Sequence, residues 1–568
     1  MANLSLGCVV VLCTLGACGE ATNLSSSDGS ITVDAGVVDD LARDVDGGAI
    51  VVMLPTPPAL CTPPITPADI TTPKVTLGKT GQPPCTEAGL QTALDGGGVI
   101  TFDCGGTVTA PFTLKITSQR VVAKKDTVLD GEGKVILSGG GTSRILKLDN
   151  GNFDDDTPTL TVQNLSFIDG HTTDVANTSA TDQGGAAIYR IGGTLHVFNS
   201  RFVNNVGPVT GQDVAGGAIY SIGGGLTIIV GSVFSDNACS NGGALGVLGA
   251  FGLGVYNSII DHNQATGHNA NPGNGGNGGA ITVDGPSTTG SCNGNTPTGP
   301  YNEKVVTLCG VQVTRNQAGS GALAGGLFRT VDTTCLPAKT AAVHIDQSTF
   351  DGNSAPGAGG MYLHQVNLTM TNSTVSNNHT TAQGGAGIWI EGNSGDGAIA
   401  SLDLTNVTIA NNLATDSLGA GFFFGDAVGA GTLLNCTVAN NKVESSTGNG
   451  YAVFAAGFMG TATITLNNTI VANNQKPMPS NDAYNCQNKY GNGGGNVQWP
   501  EELMHHCSDG VTVADPALSA LADNTGPVKT LALTSTSPAA TSGSGCPATD
   551  ARGHARPANG CASGAYQP

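Results

Sequence analysis

The sequence predicts an all-β chain wound as a single-stranded parallel β-helix, with a capping helix at its N-terminal end and a cap at its C-terminal end. Three observations carry that expectation. Glycine supplies 85 of 568 residues, about twice ordinary usage, without a Gly-X-Y register, and glycine costs about 1 kcal/mol inside a helix. Collagen and a helical protein are both excluded. Apolar residues reach 39% while charged residues stay at 11%, too apolar for a disordered chain. The third observation is a repeat.

A Gly-Gly-Ala-(X)-aliphatic-Tyr phrase occurs at Gly184-Gly185-Ala186 with Ile188-Tyr189 and at Gly216 to Tyr220, and its shorter form at Gly242-Gly243-Ala244-Leu245. An apolar-x-x-Asn phrase follows each, with Phe202, Phe234 and Ile260 standing 18 residues after the first glycine in all three units. Further anchors lie at Val313, Phe350, Val375, Ile409, Val438 and Val471, spaced irregularly because loops interrupt some units. Inside a unit the apolar residues alternate, as in Leu195-His196-Val197 and Leu402-Asp403-Leu404, which is the period of a strand. Two or three short strands per unit describe one coil. Each strand would pair with its equivalent one coil away, about 4.8 Å along the axis, so an inward position recurs on every coil. Phe202, Phe234, Ile260, Val313, Phe350, Val375, Ile409, Val438 and Val471 are therefore expected to stack as one core column. The asparagines are expected to form a ladder at a turn and to take its left-handed conformation, with glycine pairs at the sharp corners.

The first coils read from Val99 to Phe102, Thr127 to Gly133 and Ile145 to Leu148. Before them, Leu90, Ala93 and Leu94 share helical spacing, with Thr86 as N-cap and Gly96 beyond the end. Such a helix would cover the open edge of the first coil. Two insertions, from about Gly285 to Asn302 and from Thr330 to Lys339, each precede a strand and would leave from equivalent corners of adjacent coils.

Residues Leu6 to Ala17 are apolar and end Leu15-Gly16-Ala17-Cys18, followed by Gly19. This resembles a bacterial lipoprotein signal over residues 1–18, which implies lipidation of Cys18; Gly19 then implies the outer membrane or cell surface, with simple secretion as the alternative. Residues 19–84 are rich in Ser, Asp, Thr and Pro, with Pro57-Pro58 and Pro63-Pro64, and read as a disordered tether. The β-helix is expected over 85–480 and a capping or anchor-type segment over 481–568.

Setting aside Cys8, Cys13 and Cys18 leaves 12 of the 15 cysteines, an even number suited to an oxidising compartment. Cys85 with Cys104, Cys486 with Cys507 and Cys546 with Cys561 would close short loops. The paired insertions pair Cys292 with Cys335, leaving Cys309 in its strand, and Cys436 sits in an alternating apolar run as a buried inert thiol.

The alternation of Gly-Gly-Ala-Ile with Phe-x-x-Asn resembles the repeats of chlamydial polymorphic outer-membrane proteins and, more broadly, right-handed parallel β-helix proteins of the pectin-lyase-like superfamily. The likeness covers about residues 85 to 480 and implies a right-handed coil. At the C-terminus, Asp523-Asn524-Thr525-Gly526-Pro527, Cys546-Pro547-Ala548-Thr549-Asp550-Ala551-Arg552-Gly553 and Gly564-Ala565-Tyr566 resemble the tail of choice-of-anchor Q domain proteins.

Enzymes of that superfamily set carboxylates and a basic residue on one outer face. Ile260-Asp261-His262 is similar to a pectate-lyase motif, but Asp261 and His262 fill the variable positions of the repeat, and no Arg-x-x-Pro-x-x-Arg partner occurs. The hydrolase signatures are also incomplete at Gly267-His268-Asn269 and Gly553-His554-Ala555, and His196, His344 and His364 are expected on the surface. Asp154, Asp155 and Asp156 with Asp149 form the one calcium candidate, weighed against a solvated loop tip. A net charge of −20 opposes nucleic-acid binding, and membrane association is expected through the lipid alone. The sequence thus predicts an exported, monomeric, non-enzymatic surface protein for adhesion or polysaccharide contact, without catalytic residues or a required cofactor; the alternative is a lyase or hydrolase of acidic polysaccharide.

Overall fold

The computed structural model describes residues 54–568 apart from 154, 173–182, 250–251, 271–272, 287–304, 332–339, 396, 445–456, 476–483, 502–505 and 558. Cys18, Asp154, Cys292 and Cys335 lie outside the described residues. Three long sheets carry the fold. The first has 14 strands, from Val75–Leu77 to Gly491–Asn492; the second has 14, from Phe112–Lys115 to Thr512–Val513; the third has 11, from Arg120–Val122 to Phe458–Gly460. The chain visits first, second and third sheet in turn, and each strand pairs in parallel with its equivalent on the neighbouring coil, as Leu195 to Phe198 does with Thr227 to Val230. Such a winding is a parallel β-helix.

Register follows from the three-residue strands of the second sheet, whose middle residue points inward. Phe202, Phe234, Ile260, Val313, Phe350, Val375, Ile409, Val438 and Val471 are each opposite the next in that order. Phe167, Phe202 and Phe234 stack with centroids 5.0 and 4.6 Å apart and planes within 3°. All nine column residues are buried.

Three residues after each column position stands the buried asparagine. Asn316 shows the pattern: its Nδ2 donates to Asn353 Oδ1 at 3.0 Å and to the Ile260 carbonyl at 2.9 Å, while its Oδ1 accepts from the Asn263 backbone N–H and Nδ2. Linked in this way, the ladder runs through Asn205, Asn237, Asn263, Asn316, Asn353, Asn378, Asn412, Asn441, Asn474 and Asn485. The left-handed residue is not the ladder asparagine, as the repeat predicts, but the one before it: Asn204, Asp236, His262, Arg315, Gly352, Asn377, Asn411, Asn440 and Asn473 all have φ between 53° and 67°. The buried amide needs an ordinary backbone to aim along the axis, so the corner's strain falls on its exposed neighbour.

The glycine pairs divide two tasks. Gly216 and Gly242 take positive φ, whereas at Gly243 a Cβ would stand 2.3 Å from the Gly279 carbonyl oxygen of the next coil. Ile188 faces Ile219, so the equivalent of Gly216 is Gly185, not Gly184. The equal offset in that unit reflects one extra residue before its strand and one fewer after.

The helix spans Glu87–Gly96, with Thr86 Oγ1 accepting from Gly89 N–H at 3.2 Å and Gly97, at φ 63°, as C-cap. Gly96 is thus the last helical residue. Leu90, Ala93 and Leu94 are buried, and Glu87 pairs with Arg120 at 3.1 Å.

From residue 54 onward, the expected tether is ordered against the body. Val75–Leu77 forms the edge strand of the first sheet, and Cys61 is bonded to Cys309, a partner outside the expected set. Proline-rich sequence does prefer extended chain, but here side-chain amides of the first sheet satisfy its backbone. Cys85 is bonded to Cys104, Cys486 to Cys507 and Cys546 to Cys561, while Cys239 is buried and Cys436 is a buried, unbridged thiol. Burial pushes the Cys436 thiol up to about 12, which leaves it protonated and inert at neutral pH.

The last coil closes around Cys486–Cys507, and the remaining chain runs back along the outer face of the second sheet. Lys529 accepts from Thr374, Thr549 from Asn406, and Ala565 N–H donates to Thr437. The Asp550 carboxylate, fully buried, takes both Arg552 Nη2 at 2.7 Å and the Gln567 N–H at 2.9 Å, and Arg552 lies 3.7 Å over the Tyr566 ring.

Replacing Asn316 by alanine removes two donors and leaves the buried Asn263 backbone N–H without its acceptor, a cost of about 2–4 kcal/mol. Urea denaturation should show a lowered midpoint, and Asn316→Asp should not restore it, since a carboxylate cannot donate to Asn353.

Candidate functional site

The outer face of the third sheet holds a group of aromatic rings in mutual contact. Its strands follow the glycine corners, so the residue after each inward aliphatic faces outward. Tyr189 and Tyr220 occupy that position on adjacent coils, and beyond Gly246 and Thr282 the same register row continues through Phe328, Tyr362, Trp389 and Phe423.

Phe328 and Tyr362 stack at 5.4 Å, while Trp389 turns edge-on to Tyr362 and Phe423 at 5.1 and 5.2 Å. Tyr362 is nearly buried, whereas Trp389 and Phe423 stay half-exposed. One carboxylate organises the group: Glu391 accepts from the Tyr362 hydroxyl at 2.5 Å and from Trp389 Nε1 at 2.9 Å. Burial, and then the Glu391 charge, push the Tyr362 phenol well above its ordinary range, so it remains a donor at any ordinary pH. His364 stacks on Tyr362 at 6.3 Å and lies opposite Glu391 in the register. Gly384, at φ 67°, lets the chain cross the indole, because a Cβ there would stand 2.0 Å from the Trp389 ring.

Nearer the N-terminal end of the same row, Tyr189 and Tyr220 are covered by Phe153, Ile191 and Leu248, and the Tyr220 hydroxyl donates to the Asp213 carbonyl at 2.7 Å. A shallow cleft opens beside Tyr220, lined also by Asp213, Asn241, Thr282 and Asp284. Burial and the neighbouring Asp284 charge raise the Asp213 carboxyl above its ordinary range. Asp284 accepts from Thr330, and the buried Arg329 stands close enough for its charge to be felt. Burial lowers the Arg329 guanidinium to about 10, so it is still charged at neutral pH.

Chemically, the face offers apolar ring edges beside one carboxylate and one imidazole, and a second position with two interacting carboxylates. The sequence reading passed over it. The signal was the residue following the first apolar residue after each Gly/Ala corner, aromatic in Met361-Tyr362, Ile388-Trp389 and Phe422-Phe423 as in Ile188-Tyr189.

The sequence-derived candidates lie elsewhere. Asp261 takes Arg315 Nη2 at 2.6 Å and His262 Nδ1 at 2.9 Å in a surface turn. Asp149 is 3.4 Å from Lys147 Nζ, Asp155 accepts from Thr157 N–H and hydroxyl, which hold its carboxyl below the usual range, and Asp156 offers its carbonyl to Thr194. Among the described residues, the one group of three potential ligand atoms within 4.8 Å is Cys61, Cys309 and Asp346, and its two sulfurs are bonded to each other. His196 faces outward from the first sheet but is partly covered, and burial lowers its pKa.

Residues 328–496 match the family model for a right handed beta helix region. With the long parallel sheets described above, this gives the fold as a right-handed parallel β-helix. No curated protein and no solved structure matches it. The β-helix match spans Tyr362, Trp389, Glu391 and Phe423.

Gly384→Ala should force the indole from its seat at a cost of about 1–3 kcal/mol. In a Trp499→Phe background, where Trp389 is the sole tryptophan, emission should shift to longer wavelength. An unchanged spectrum would contradict the packing described.

Proposed function

We propose that this β-helix protein is exported, carries a lipid on Cys18, and contacts polysaccharide through the outer face of its third sheet. The observation that carries the reading is the Tyr362–Trp389–Phe423 row with Glu391. A linear glycan presents C–H faces that pack on aromatic surface and hydroxyls that seek carboxylate and imidazole groups. Rows on parallel strands repeat about every 4.8 Å, close to the rise of a sugar unit in an extended chain, so several units can be engaged without adaptation. Four disulfides among the described residues support an oxidising compartment. The reading keeps the protein as a monomeric scaffold, with no step requiring a metal; calcium near Asp149, Asp155 and Asp156 is a lesser part of the proposal.

Affinity electrophoresis through gels containing polyuronate, neutral or amino-sugar polymers tests this directly. At least one polymer should retard the protein, and Trp389→Ala should weaken binding about tenfold or more, as loss of a central aromatic anchor does, with circular dichroism unchanged. Retardation by none, or equal retardation of the variant, sinks the proposal.

One observation favours a second reading, a hydrolase or lyase of acidic polysaccharide. Asp213 and Asp284 line one cleft near a buried arginine, and a carboxyl raised by burial and a neighbouring carboxylate is an arrangement that general acid catalysis uses. Incubation with polyuronates should then release reducing ends or unsaturated product, abolished by Asp213→Asn and by Asp284→Asn. Absence of product from every polymer bound would leave the scaffold reading alone.

A further inference from the structure

Residues 54–74 lie on the first sheet as an extended strap running along the axis. The bonded pair Cys61–Cys309 fixes one end. Asn257 holds the same point, its Oδ1 accepting from the Leu60 and Cys61 N–H groups at 2.9 Å and its Nδ2 donating to the Cys61 carbonyl at 2.8 Å. Three coils before Asn257, Gln163 does the same for Ala68, accepting its N–H at 2.9 Å and donating to its carbonyl at 3.1 Å. Gln163, Phe198, Val230, Tyr256 and Cys309 form one outward row on consecutive strands. Between the two clamps Ile65 packs on Phe198, Ile228 and Val230, with Tyr256 alongside.

This bridge differs from the other described ones in its span. Cys85–Cys104, Cys486–Cys507 and Cys546–Cys561 join residues 19, 21 and 15 apart, and Cys486, Cys507 and Cys561 are buried. Cys61–Cys309 joins residues 248 apart, with both cysteines half-buried, as Cys85 and Cys104 are, on the outer face near Asp346 and Gln347. Nothing in the core column or the asparagine ladder depends on it. Downstream, the chain is fastened independently by Val75–Leu77 on the sheet edge.

We propose that Cys61–Cys309 is a thiol-operated latch, whose reduction frees the strap from the first sheet while the solenoid stays wound. The reductant is an external dithiol. One of its thiolates attacks a latch sulfur and expels the other as a thiolate; its second thiol then closes the reductant's own disulfide and expels the first latch sulfur. The dithiol loses two electrons, its two protons pass to Cys61 and Cys309, and no other reactant is needed. Opening uncovers the apolar strip of Phe198, Ile228, Val230 and Tyr256, which in the latched state faces Ile65.

The full-length oxidised protein, titrated with a dithiol, alkylated and digested for mass spectrometry, tests the latch. Cys61 and Cys309 should be alkylated before any other bonded cysteine. At that dose, amide exchange over 57–70 should rise at least tenfold, an apolar dye should gain fluorescence, and the strands carrying Phe202 to Val471 should keep their protection. Cys61→Ser with Cys309→Ser should reproduce the open state without reductant, and Ile65→Glu should raise dye binding with the bridge intact. A strap that stays protected once both thiols are alkylated overturns the proposal, as does loss of core protection at the same dose or earlier reduction of another bridge.

Discussion

Every coil of this protein must answer the same demand. Its backbone is already paired above and below, so a buried polar side chain at a corner can be satisfied only by the corners of adjacent coils. Asparagine meets that demand because its amide carries two donors and two acceptor sites in one plane. Asn316 spends them on Asn353, the Ile260 carbonyl, and the N–H and Nδ2 of Asn263. A serine lacks the second donor, and an aspartate lacks both. From the Phe202 coil onward the ladder therefore fixes the identity of one residue per coil and, through it, the register of the second sheet: a slip by one residue would bury an unanswered amide and expose the column that Phe202 and Phe234 share.

The remaining corner chemistry follows from that fixed point. Because the ladder asparagine must keep an ordinary backbone, its predecessor takes the left-handed turn, whatever its side chain; even Arg315 does so, at φ 53°. Glycine is needed where two coils pass too closely for a Cβ, as at Gly243 under Gly279. A second, weaker ladder runs one corner earlier, where the Ser232 hydroxyl accepts from Ser200 N–H and the Ser258 hydroxyl from Ser232 N–H. Cys436 occupies that row, where its thiol points at the Leu434 and Leu404 carbonyls. This accounts for a cysteine that is buried, unbridged and unreactive.

What could be read from the chain divides along the same line. The column and the ladder repeat, and repetition makes them visible without a structure. The strap did not repeat: Pro57-Pro58 and Pro63-Pro64 looked like tether because nothing local shows that Asn257 and Gln163, about a hundred or more residues away, would satisfy its backbone. Cys61 went unassigned for the same reason. The tail presented motif residues whose role is mutual, Asp550 binding Arg552 and the Gln567 N–H, and no spacing rule could reveal that it lies beside the second sheet. The aromatic row was legible in principle, one step past the first apolar residue after each Gly/Ala corner, but at Gly246 and Thr282 it loses its aromatic character and with it the obvious pattern.

The three faces of the solenoid are consequently not equivalent. On the first sheet, the half nearest the N-terminal cap is occupied by the strap through Gln163, Ile65 and Cys309. On the second, outward residues of the last coils such as Ala439, Ile470, Ala472 and Val497 are buried against Leu533, Ala539 and Ala562 of the tail. Both coverings are made by the chain itself and shield apolar strips that would otherwise face water. On the third sheet, Trp389 and Phe423 are only half-buried, although ring contacts tie them to Tyr362. Neither the strap nor the tail segment described above covers them, and Glu391, which accepts from both Tyr362 and Trp389, holds the two rings in one fixed arrangement, so what binds there would meet a surface whose ordering cost is already met.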